Sequence, residues 1–184
     1  MATEPFALWI TGLPASGKST LARALRAEFA RRGVTVQILE SDELRRVLTP
    51  RASYDEEERD AFYGMMLYIG KLLHRHGVSV IFDATANLRR YRDRARDILP
   101  QFFEVYVDCP IEVCEMRDPK GLYRKAREGR LDSLPGVQAP FEPPERPEFV
   151  VRSDRETVED AARRIVAGYL TSSTALRRPN FSIR

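Results

Sequence analysis

Phe6-Ala-Leu-Trp-Ile-Thr-Gly12-Leu13-Pro14-Ala15-Ser16-Gly17-Lys18-Ser19-Thr20 reads as an apolar strand, a glycine-rich loop and the start of a helix. The pattern G-x-x-x-x-G-K-[ST] falls on Gly12, Gly17, Lys18 and Ser19, and each position has a physical role. Glycines let the backbone N–H groups of residues 12–20 turn inward around phosphate oxygens, and the helix start adds the positive end of its dipole. Lys18 brings a point charge to the phosphates and Ser19 a hydroxyl for Mg2+. A tight turn before a helix would need the glycines but not the lysine and hydroxyl that follow them. The whole loop, residues 12–20, is therefore the expected binding site for MgATP.

Outward from this loop, apolar and β-branched runs at residues 6–11, 34–39, 78–83, 102–108 and 148–151 read as strands. Helical stretches at 18–32, 42–48, 55–76, 88–99, 111–117, 122–128 and 155–170 separate them. The alternation predicts an α/β fold, a parallel five-stranded sheet with helices on both faces, and the phosphate loop puts it in the P-loop nucleoside triphosphate hydrolase/kinase class. The 184 residues, 43% of them hydrophobic, suffice for one such domain over 1–170. A lid at about 117–130, a proline-rich loop at about 131–147 and a tail at 171–184 complete the expected organisation. The formal charge of +3, from 30 basic and 27 acidic residues interspersed, does not point to a long nucleic acid as partner. No stretch approaches the length of a membrane span and no secretory pattern opens the chain, so a cytoplasmic protein is expected. Cys109 and Cys114 have no partners at metal-ligand spacing and are expected to be reduced, partly buried thiols.

In an open parallel sheet, ligands bind beyond the carboxyl ends of the strands. After the second strand, Glu40-Ser41-Asp42-Glu43-Leu44-Arg45 sets a carboxylate and an arginine three apart at a helix start. Asp42 there can accept the proton of an attacking hydroxyl or hold Mg2+ through water, while Arg45 can grip an anionic acceptor. A helix cap is the structural alternative for Ser41 or Asp42. The third strand ends in Asp83, a candidate catalytic carboxylate and Mg2+ holder, followed by Asn87 and an arginine run in which Arg89 and Arg92 lie three apart as candidates to reach an acceptor. Five cations between Arg117 and Arg127, punctuated by Pro119 and Gly121, suggest a lid that closes over the phosphates. His74 and His76 fall at a helix end and call for no chemistry.

The run from Phe103 through Asp108-Cys109-Pro110 and Cys114-Glu115-Met116-Arg117-Asp118-Pro119-Lys120-Gly121-Leu122-Tyr123-Arg124-Lys125-Ala126, continuing at Phe141-Glu142-Pro143-Pro144-Glu145, resembles the adenylylsulfate kinases. With the phosphate loop and the Arg89 region, the resemblance covers most of residues 6–170. It implies ATP-dependent phosphorylation of the 3′-hydroxyl of adenosine 5′-phosphosulfate in sulfate activation. It implies Asp42 as catalytic aspartate, Arg45 and Arg59 as acceptor-binding arginines, and Lys120, Leu122 and Tyr123 as lid residues bearing on the nucleotides. Kinases of this kind often form homodimers.

The acceptor wall departs from the family. Leu39-Glu40-Ser41-Asp42 stands where the family writes Leu-Asp-Gly-Asp, Phe62 falls where an asparagine is expected, and Thr85-Ala86-Asn87-Leu88-Arg89 replaces Ile-Ser-Pro-x-Arg. No serine is present at Ala86 to serve as a phosphorylated intermediate. The segments 41–45 and 83–87 resemble polynucleotide-kinase-like phosphate-loop kinases, with Asp83 as an added carboxylate. Another nucleotide, a sugar derivative or a polynucleotide 5′ end is the alternative acceptor, and a nucleotide-binding module without transfer is the alternative outside the enzymes.

Overall fold

The chain is represented by a computed structural model that describes residues 4–176, with side chains through residue 171. Five parallel strands form one sheet in the order β2-β3-β1-β4-β5. They are β1 (Ala7–Thr11), β2 (Val36–Glu40), β3 (Ser79–Asp83), β4 (Phe102–Asp108) and β5 (Phe149–Arg152). The helices are α1 (Lys18–Ala30), α2 (Ser41–Leu48), α3 (Glu56–Arg75), α4 (Arg89–Ile98), α5 (Ile111–Arg117), α6 (Leu122–Arg127) and α7 (Val158–Leu176). The expected fold is present, with element boundaries moved by a few residues. Strand β2 starts at Val36 and takes in Glu40, which pairs in register with Asp83. Helix α7 continues past Leu170 to Leu176, and residues 177–184 of the expected tail lie outside the described residues.

β1 is central and every residue of it is buried, because helices cover both faces of the sheet. Alternation along the strand divides its side chains between two cores. Leu8 and Ile10 pack with Leu21, Leu25 and Phe29 of α1 and Ile165 and Val166 of α7. Ala7 and Trp9 pack with Phe62, Met66 and Phe82 on the side of α3 and α4, where the rings of Trp9 and Phe82 stack at 4.7 Å. A third, smaller cluster of Cys109, Cys114, Tyr123, Ala126 and Leu134 lies beneath the lid segment. The two thiols are free and buried, and burial pushes the Cys114 thiol up to about 12.

Since all five strands run the same way, the segments that follow them share one rim of the sheet. The sequence order changes direction at β1, between β3 and β4, and the crevice of an open sheet forms at such a point. The proline-rich loop 131–147 carries no helix or strand and crosses this rim, with a single bridge between Pro135 and Ala139.

Candidate active site

The rim holds a cleft of about 1250 Å3, larger than the ~300–1000 Å3 of a pocket for one small ligand and therefore suited to two substrates. Pro14, Ala15, Gly17, Lys18, Ser19 and Thr20 line one side of it. Gly12 starts this loop at φ +148°, and a Cβ there would stand 2.6 Å from the carbonyl oxygen of Val107, so the loop can bend only around glycine. Lys18 folds back along the loop, its Nζ donating to the carbonyls of Gly12 at 3.0 Å and Leu13 at 2.7 Å. Burial lowers its pKa to about 8 against the opposing charge of Asp83. The positive charge that the phosphates require is thus held in a desolvated setting, where it acts strongly.

Asp83 is buried at the end of β3, and burial raises its carboxyl above the usual range while the Ser19 hydroxyl and the Lys18 charge oppose the rise. A hydroxyl bonded to a carboxylate beside the phosphate loop is a donor set that fits Mg2+, which takes few protein ligands and fills its octahedron with water and phosphate oxygens. Among the described residues no group of three or more histidine, cysteine or acidic side chains is placed to hold a metal ion. Asp42, in the first turn of α2, stands half-exposed across the cleft, and Lys120 of the lid pairs with it. Burial works against the Lys120 ammonium, but the hydrogen bond and charge of Asp42 prevail and raise its pKa. Glu40 takes the cap position of α2, so Asp42 lies inside the first turn and is not the cap residue.

The segment expected to form the lid is held from beneath as well as from across the cleft. Asp118 accepts from the backbone N–H groups of Leu122 at 2.7 Å and Arg124 at 3.1 Å, fixing the start of α6. Tyr123 is buried and its hydroxyl donates to the Pro14 carbonyl at 3.0 Å, tying α6 to the phosphate loop. Arg117 reaches over the same loop, with Nη1 at 3.4 Å from the Ser16 carbonyl and Nη2 donating to Ser153 O at 2.8 Å.

Arg45 and Arg59, the arginines expected to bind the acceptor, line the cleft, but each is already engaged by the protein. Arg45 bonds to Glu58 at 2.5 Å, and its guanidinium lies 3.8 Å from the ring centre of Phe62 and 4.7 Å from that of Tyr54. The position that lacks the family's asparagine therefore supports Arg45 through the face of an aromatic ring. Arg59 donates to Tyr54 O at 2.8 Å, Asn87 Oδ1 at 3.2 Å and Ser133 O at 2.7 Å. Position 87, on the loop after β3, thus brings a side-chain amide to Arg59 from behind the cleft.

Among the expected site residues, Asp42, Arg45, Arg59, Asp83, Arg117, Lys120 and Leu122 come together around the cleft with the phosphate loop. Four others outside that loop do not line it. Phe62 and Asn87 are buried behind the arginines they hold, Tyr123 lies under the lid, and Arg89 faces outward to Glu142 and Glu145. Arg92 is also absent from the cleft. Tyr54, Glu58, Glu104 and Ser153 are partners that sequence patterns do not single out. Glu104 alone leaves a trace, as a carboxylate inside the otherwise apolar run of β4.

Known proteins resemble this chain along most of its length. The sequence profile of the family described as Adenylylsulphate kinase matches residues 4–152. An adenylyl-sulfate kinase of Halothermothrix orenii is 39% identical over 159 residues, 86% of each chain. A probable adenylyl-sulfate kinase of Pyrococcus abyssi is 39% identical over 89% of this chain and 94% of its own. Among solved structures, the Mycobacterium tuberculosis APS kinase in complex with AMPPNP and APS superposes with a TM-score of 0.84 at 29% identity, covering 90% of this chain and 97% of that one.

Proposed function

The chain belongs to the adenylylsulfate kinase family, and on that footing we propose how its residues share the transfer of the ATP γ-phosphoryl group to the 3′-hydroxyl of adenosine 5′-phosphosulfate. The observation that carries the assignment is the opposition of Lys18 and Asp42 across one cleft with room for both nucleotides. Backbone N–H groups of residues 12–20 and the Lys18 ammonium hold the triphosphate. Ser19 and Asp83, with Asp42 through water, are the residues that would hold Mg2+, and the ion would supply positive charge against the phosphate oxygens.

Asp42 orients the acceptor hydroxyl and takes its proton as the new P–O bond forms and the bond from the γ-phosphorus to the departing ADP breaks. Transfer is direct, since Ala86 offers no nucleophile for a phosphoenzyme. Arg45 and Arg59 face the acceptor's anionic groups from fixed positions, so that little entropy is lost when it binds. Lys120, released from Asp42 as the acceptor enters, and Arg117 over the phosphate loop then neutralise charge on the moving group and exclude water.

Wild-type protein with MgATP and adenylylsulfate is expected to yield 3′-phosphoadenylylsulfate, and Lys18→Ala and Asp42→Ala to abolish it. No product at saturating substrate, with turnover of another hydroxyl acceptor from a panel of nucleosides, sugars and 5′-hydroxyl oligonucleotides, would replace the acceptor. Cytoplasmic residence and a homodimer accompany this reading, and sedimentation tests the second. Among the described residues no helix is long and apolar enough to cross a membrane.

A further inference from the structure

Arg92 is a buried cation that the transfer chemistry leaves unused. It sits in α4 with 1% of its side chain exposed, behind the acceptor wall. Its guanidinium bonds to four places in the fold. Nε donates to Glu104 Oε1 at 2.6 Å and Nη2 to the Glu142 carbonyl at 2.6 Å. Nη1 donates to the Ala86 carbonyl and approaches Thr11 Oγ1 at 3.5 Å. These oxygens belong to β4, the proline-rich loop, the loop after β3 and the end of β1. Only a planar fork with five N–H groups can meet so many acceptors at once; an ammonium on a flexible stem cannot.

What the fork grips is the acceptor side of the cleft. Ala86 stands at φ +40°, a left-handed conformation that a non-glycine residue keeps only when its surroundings enforce it. Its N–H is held by the Tyr63 hydroxyl at 3.0 Å and its carbonyl by Arg92. The next residue, Asn87, bonds to Arg59 through Oδ1, to the Pro140 carbonyl through Nδ2 at 2.9 Å, and to the Glu142 N–H through its own carbonyl at 2.7 Å. Arg59 in turn lines the cleft. The links from Arg92 to Ala86, Asn87 and Arg59 are consecutive, and each is buried. On the donor side Arg92 makes only the long contact to Thr11; the phosphate loop itself is shaped by its own backbone and Lys18.

We propose that Arg92 is a positioning residue for the acceptor: its fork locks Ala86 and the proline-rich loop at Glu142, and so sets Asn87 and Arg59 for the acceptor without touching it. Glu104 supplies the counter-charge that lets a guanidinium remain buried, and Arg96 and Glu148 extend the ion-pair network toward β5. The proposal rests on the kinase reading for the identity of the acceptor but not for the mechanics of the clamp.

Arg92→Lys keeps a cation beside Glu104 and removes the fork. Its expected signature is an adenylylsulfate KM at least about tenfold higher, with ATP-analogue Kd, measured without acceptor, within about twofold of wild type. Faster deuterium uptake at residues 84–88 and 140–142, with uptake at 12–20 unchanged, should accompany it. An Arg92→Met, Glu104→Leu double variant, which leaves no unpaired charge in the core, provides the same test should the lysine variant fail to fold. An unchanged acceptor KM, or acceptor and ATP affinities falling in step, would overturn the proposal. Wild-type turnover of adenylylsulfate decides the kinase reading separately. Should another hydroxyl acceptor be the true one, the same split is read with it, and without any acceptor the exchange pattern alone decides the clamp.

Discussion

Raising the pH from about 7 to about 9 should weaken ATP binding by this protein roughly tenfold, because the free enzyme's Lys18 loses its proton in that interval. Burial places its pKa at about 8, against an ordinary 10.5, so roughly nine in ten molecules carry the charge at the lower pH and one in ten at the higher. If the bound complex keeps the proton, the dissociation constant rises tenfold for each unit above the free pKa, which over this interval amounts to ~1.4 kcal/mol. Stability of the free protein moves the other way. Between about pH 8 and pH 10.5 the unfolded chain binds a proton at Lys18 that the folded chain does not, so folding gains with rising pH, up to about 3 kcal/mol from this group. Calorimetric titration of a non-hydrolysable ATP analogue at constant ionic strength measures the first effect. Thermal unfolding of wild type against Lys18→Met isolates the second. Affinity that stays flat across the interval, or a loss that survives in Lys18→Met, would refute the reasoning.

Asp42→Asn should lower kcat by about 100-fold to 10000-fold while ATP affinity stays within about threefold; turnover at the wild-type rate would remove Asp42 as the base. Phe62→Ala removes a fully buried ring and the platform beneath Arg45, at a cost of about 3–5 kcal/mol in stability, and should lower Tm by about 10 °C and raise acceptor KM. Calorimetry and steady-state kinetics check both, and a raised KM without any fall in Tm would contradict the packing argument. Gly70→Ala places a Cβ 2.2 Å from the Phe82 ring, and overpacking of about 1–3 kcal/mol should appear as a lower Tm with unchanged substrate affinities.

Much of the molecule is legible in the chain because its signals are local. The run at β1 is apolar on both faces, and a strand of that kind belongs inside a covered parallel sheet. Glycine at positions 12 and 17 and the Lys18-Ser19 pair specify a phosphate loop through backbone geometry and charge over a few residues. Glu40 is different: its own composition puts it beyond the strand, whereas the extent of β2 depends on pairing with β3, where Glu40 stands opposite Asp83.

The acceptor wall is harder to read for the same reason in stronger form. Spacing places Arg89 and Arg92 near each other on a helix, but it does not say that one faces solvent carboxylates and the other enters the core. Phe62 reads as a lost hydrogen bond until the ring is seen beneath Arg45, and Asn87 reads as a lost proline until its amide is seen on Arg59. Lys120 reads as a lid cation, while its pairing with Asp42 joins residues far apart in the chain.

The sequence by itself determined the donor, since a loop that cradles phosphates is written in consecutive residues whose backbone freedom and charge act over a few ångströms. Only the tertiary structure decided how the acceptor side is built. There the arginines of α2 and α3 meet partners from the loop after β3 and the proline-rich loop, and what each can reach depends on which buried partners compete for its guanidinium. That competition is settled by packing and desolvation across the whole fold.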